Sequence, residues 1–144
     1  MAEMETRSWR PFRLSLAAMI LLLTIQAWTG DFVNVFVTTA SNSGYSAVAF
    51  VQGFASQGPF LIWHALEGIA VFAAAIVVFD ISLRYHRRSV KVGAGLGLLL
   101  IAIAGIGGYF FVLSGFSNGS NSMQMGGAFI PCYAMYFITL YYTK

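Results

Sequence analysis

Four stretches of the chain stay apolar long enough to cross a bilayer, whose hydrocarbon core is about 30 Å thick and needs about 20 apolar residues in a helix. They run from about Leu14 to Phe36, Phe60 to Leu83, Val92 to Gly115 and Met123 to Tyr142. None alternates apolar and polar positions as a barrel strand does. The pattern therefore predicts an all-α fold: an integral membrane four-helix bundle, with residues 1–144 forming a single membrane domain.

The connections carry the polar residues. Residues 38–59 are rich in Ser, Asn, Gly and Gln but also hold Tyr45, Val48, Phe50, Val51 and Phe54, a mixture expected of a segment lying on the membrane surface or dipping partway in. Residues 116–126 read as a plain loop, in which Asn118-Gly119-Ser120 matches a glycosylation sequon. The N-terminal arginines ahead of an apolar run resemble a signal peptide. No small-x-small cleavage site follows and the apolar run continues, so an uncleaved anchor is expected.

Composition agrees with burial in lipid. Of 144 residues, 58% are hydrophobic and only 9% charged, where a soluble domain carries roughly 25% charged residues. The formal charge of +3 does not signal a nucleic-acid face, because the basic residues fall in short clusters: Arg7, Arg10 and Arg13 before the first helix, Arg84, Arg87, Arg88 and Lys91 in the turn after the second, and Lys144 at the end. With four crossings all of them share one side. The positive-inside rule then places the N- and C-termini in the cytoplasm, in a plasma membrane. Nucleic acid is excluded as a partner; the lipid bilayer and other membrane subunits are expected instead.

Small residues predict helix packing. Gly93/Gly97 and Ala104/Gly108 are small-xxx-small pairs, which let backbones approach where lipid supplies no hydrophobic drive. The third helix is accordingly expected at the centre of the bundle, and Pro131 is expected to kink the fourth. Trp28, Trp63, Tyr141 and Tyr142 fall near predicted interfaces. The single cysteine, Cys132, excludes a disulfide framework and reads as a small apolar residue.

Ionisable groups in a span are expensive and draw attention to function. Asp80 and Arg84 stand at i,i+4 and are expected to pair; His86 is expected to be solvated in the basic turn. Glu67 has no cation on its own helix, but His64 shares its face at i−3, Asp31 is expected at a similar height on the first helix, and Gln26 and Asn34 offer hydrogen bonds. Met123 and Met125 open the fourth helix at that height.

Four readings of this region stay open: a hydrogen-bonded polar plug; a b-type haem or quinone pocket using His64 with Met123 or Met125; a metal site of Asp31, His64 and Glu67; and a proton or ion path through Asp31 and Glu67. There is no P-loop, GxSxG or HExxH motif, and no catalytic residues are assigned.

Thr29-Gly30-Asp31, His64, the Arg84–Lys91 turn and Gly107-Gly108 occur in the order of a four-helix unit that resembles the haem A synthase family and, more loosely, membrane b-type cytochromes. The likeness covers roughly residues 14–115 and implies His64 as a haem ligand. The sequence departs from that family in lacking a second histidine on helix four and in carrying Ala65 where an arginine commonly follows the helix-two histidine. Taken together, the expectation is an accessory, non-enzymatic subunit of a larger membrane complex, respiratory or otherwise redox and engaged in electron transport, with haem b or quinone binding at His64 as the alternative.

Overall fold

In the computed structural model the described residues are 8–36, 48, 58–114, 116 and 119–143. They form four helices: α1 (Arg10–Phe36), α2 (Pro59–Leu83), α3 (Arg88–Leu113) and α4 (Gly119–Tyr141), with no strand among the described residues. The surface segment expected in residues 38–59 and the sequon at Asn118 fall mostly or wholly outside them.

Local chemistry explains the boundaries. Ser8 accepts a hydrogen bond from the Arg10 amide at 3.3 Å, and Pro11 sits in the first turn, so α1 begins a full turn before its apolar run. α2 starts at Pro59, where a missing amide costs nothing. The preceding Gly58 has φ 76° and ψ −175°, a conformation open to glycine because it has no Cβ. α3 and α4 likewise start about one turn ahead of their apolar runs, since a helix end can lie in water while the apolar stretch lies in lipid. α4 carries Pro131 within its length.

Each helix packs chiefly on two neighbours, giving the cyclic order α1–α2–α3–α4 and back to α1. The third helix is therefore not central, contrary to the expectation from its glycines. Those glycines serve one interface instead. A Cβ at Gly93 would fall 2.1 Å from the Thr139 hydroxyl, and one at Gly97 would fall 2.6 Å from Cζ of Tyr136. α3 and α4 thus touch almost backbone to side-chain stem, as the pair Gly93/Gly97 anticipates.

The inward residues repeat every 3.5 positions. On α1 they are Phe12, Leu16, Met19, Leu23, Gln26, Gly30 and Val33; on α2 they are Leu61, His64, Gly68, Val71, Ala75, Val78 and Ser82. This is the alternating spacing of a left-handed helical seam. Its lower part is apolar: Phe12, Leu16, Met19 and Leu23 meet Val71, Ala75, Val78, Val90, Ala94, Cys132 and Tyr136.

The outside of the bundle is apolar in turn. Leu21, Trp63, Leu66, Ile69, Val77, Leu99 and Ile130 are all exposed, while Ser82, Ser114 and Thr139 are buried. α1, α2 and α3 are long and apolar enough to span a membrane, with only 17–22% of residues buried in their most apolar windows.

The start of α1, the α2–α3 turn and the end of α4 gather at one end of the bundle. Trp9 stacks on Tyr85 at 4.3 Å, the Tyr85 hydroxyl donates to the Ser8 carbonyl at 3.1 Å, and the Arg87 guanidinium lies 5.4 Å over the Trp9 ring and donates to the Tyr142 carbonyl. Asp80 and Arg84 form the expected ion pair at 2.8 Å, more than half exposed. The opposite end closes on Val33, Leu61, Val112 and Phe116.

Candidate functional site

The polar residues of the α1–α2 seam form one cluster beneath that second closure. Gln26 and Gly30 occupy seam positions on α1, and His64 and Gly68 occupy them on α2. The two glycines are reciprocal recesses. A Cβ at Gly30 would stand 3.0 Å from Cε1 of His64, and one at Gly68 would stand 3.4 Å from Nε2 of Gln26. Each helix omits a side chain where the other's polar group crosses.

Thr29 and Glu67 flank the seam on the same side. The Thr29 hydroxyl donates to Oε2 of Glu67 at 2.8 Å, lies 3.0 Å from Nδ1 of His64, and is 3.1 Å from the Gln26 carbonyl one turn back. The Gln26 amide nitrogen donates to the His64 carbonyl at 3.2 Å and lies 3.1 Å from Nδ1 and 3.2 Å from Nε2 of the same ring. The contact with the His64 carbonyl fixes the amide's orientation, because a flipped amide would set two oxygens against each other. In that orientation Oε1 of Gln26 is buried with no hydrogen-bond partner among the described residues.

The arrangement can do two things chemically. It ties α1 to α2 through hydrogen bonds that lipid cannot replace. It also places an imidazole and a carboxyl on either side of one hydroxyl, each within hydrogen-bonding distance of it.

Other expected site residues lie elsewhere. Asp31 is exposed, two positions and so about 200° around α1 from Thr29. Among the described residues no group of three or more His, Cys, Asp and Glu side chains is placed to hold a metal ion, so Asp31, His64 and Glu67 do not assemble as a ligand set. Met123 is 79% exposed on the outer surface of α4. Met125 turns onto α3, its sulfur 3.1 Å from where a Cβ on Gly108 would be. The Asn34 side chain lies outside the described residues.

An axially ligated haem needs a free imidazole lone pair directed at iron. Here the His64 ring lies against the Gly30 backbone with Nδ1 3.0 Å from the Thr29 hydroxyl. Met123 is exposed and Met125 turns onto α3, so neither is placed beside His64 as the second axial ligand. Thr29 is the residue that the sequence reading left out of the site; its position three after Gln26, on the same face, was the available signal. No protein-family model, curated protein or solved structure matches this chain.

Proposed function

We propose that this chain is a small multi-pass membrane protein, crossing four times with its basic end in the cytoplasm, that works as an accessory subunit of a larger membrane complex and not as an enzyme on its own. The observation that carries the reading is the contrast between glycines. A Cβ at Gly93 or Gly97 would run into Thr139 or Tyr136, whereas one at Gly105, Gly126 or Gly127 would meet no neighbouring group within 4 Å among the described residues. In lipid, small residues on a helix face are where another helix can approach closely. Uncovered ones on a bundle with an apolar exterior are suited to helices of a second chain.

The test is the mass of the protein extracted with its native lipids. The expected result is an assembly well above the 15.7 kDa of one chain. A particle of that single mass, with no companion subunit, contradicts the reading.

A second reading, proton handling, is favoured by the Thr29 bridge between His64 and Glu67. It is separated from the haem alternative by one absorbance spectrum. The expected protein is colourless, and a Soret band that disappears in His64→Ala would overturn that expectation.

A further inference from the structure

Thr29 has one hydroxyl hydrogen and three neighbours within 3.1 Å: the Gln26 carbonyl, Nδ1 of His64 and Oε2 of Glu67. With Thr29 donating to Glu67, Nδ1 must carry a hydrogen and donate to Thr29 for both contacts to be hydrogen bonds. The Gln26 amide nitrogen, almost equidistant from Nδ1 and Nε2 at 3.1 and 3.2 Å, lies against the ring face and occupies the in-plane position of neither. The opposite arrangement keeps both Thr29 contacts. If Nε2 carries the hydrogen, Thr29 donates to Nδ1 and a protonated Glu67 donates to Thr29. The two patterns use the same atoms and differ by one proton and by the direction of both bonds.

We propose that His64, Thr29 and Glu67 form a hydroxyl-bridged proton relay across the α1–α2 interface. A proton delivered to His64 bonds to Nε2. The Nδ1–H bond breaks as a new O–H forms on Thr29, and the hydrogen Thr29 already held passes to Oε2 of Glu67. The imidazole ends neutral in its other tautomer, Thr29 again holds one hydrogen, and the added proton resides on Glu67. No oxidant or other reactant takes part. Gln26 serves as the positioning residue: its amide donates to the His64 carbonyl and packs against the imidazole, and Gly30 lets the ring lie at the height of Thr29.

Few other charges bear on the pair. On α1 the nearest ionisable residue in sequence is Asp31, which is exposed. α3, on the far side of α2, carries Tyr109 as its one titratable residue from Val92 to Leu113, and α4 from Gly119 to Tyr141 holds only Cys132 and tyrosines.

This inference rests on the proton-handling reading, and its test separates the two. The full chain in nanodiscs, with exposed His86 replaced by Gln, is titrated while nitrogen-15 resonances report the His64 tautomer and the infrared carboxyl band lost in Glu67→Gln reports Glu67. The expected result is that both signals change over one shared pH interval, that Thr29→Val separates their midpoints by about one pH unit or more, and that Thr29→Ser restores the shared interval. Separate intervals in the unmodified chain, or an unchanged shared interval in Thr29→Val, overturn the relay while leaving proton binding at the pair intact. No titration of either group overturns both.

Discussion

The Thr29 hydroxyl donates to Oε2 of Glu67 across the α1–α2 interface at 2.8 Å. An acid within an apolar helix is thereby bound to the neighbouring helix and kept from facing lipid alone. Removing the hydroxyl leaves both Glu67 and Nδ1 of His64 short of one partner.

Thr29→Val keeps the shape of the side chain and deletes these bonds. Hydrogen bonds between helices in bilayers are worth roughly 0.6 kcal/mol on average and up to about 1.7. The expected loss of unfolding free energy in bicelles lies in that range, with Thr29→Ser close to the original protein. An unchanged stability in Thr29→Val would mean the bridge does not hold the helices.

Glycine substitutions should divide by interface. Gly97→Ala sets a methyl 2.6 Å from the Tyr136 ring and forces α3 and α4 apart, with an expected cost of about 1–3 kcal/mol. Gly105→Ala enters open space, where alanine's better helix propensity contributes about 1 kcal/mol in the stabilising direction. Thermal unfolding of the two variants in one detergent checks this; equal effects would contradict the packing described.

At the basic end, packing should outweigh charge. Asp80→Asn breaks an exposed ion pair worth about 0.5 kcal/mol or less. Tyr85→Ala removes a buried ring stacked on Trp9 and a hydrogen bond to the Ser8 carbonyl, with an expected loss of about 3–5 kcal/mol. Chemical denaturation of both variants orders the two contributions.

Much of the fold was legible because lipid demands long apolar helices, and the i,i+4 pair Asp80–Arg84 and the close approach at Gly93 and Gly97 followed from spacing alone. The site was legible in half. His64 and Glu67 share a face at i,i+3, and Gln26 lies within reach, but height along a helix does not fix rotation around it. The 3.5-residue seam through Leu23, Gln26, Gly30 and Val33 puts Thr29 beside the interface and Asp31 away from it. Height alone likewise groups Met123, which faces outward, with Met125. Glycine content drew α3 to the centre of the bundle, although glycines report how closely a helix is approached and not how many neighbours it has.

The account depends most on four crossings with the basic end on one side. α4 opens with Gly119-Ser120-Asn121-Ser122 and is the one of the four helices not counted as long and apolar enough to span, so its proposed crossing is the point to test. Single cysteines at Ser89, Ser120 and Lys144, each in a Cys132→Ala background and labelled with a membrane-impermeant reagent in sealed vesicles, measure this directly. The account predicts that Ser89→Cys and Lys144→Cys label from the cytoplasmic side and Ser120→Cys from the opposite side. Labelling of Lys144→Cys from the same side as Ser120→Cys would contradict it.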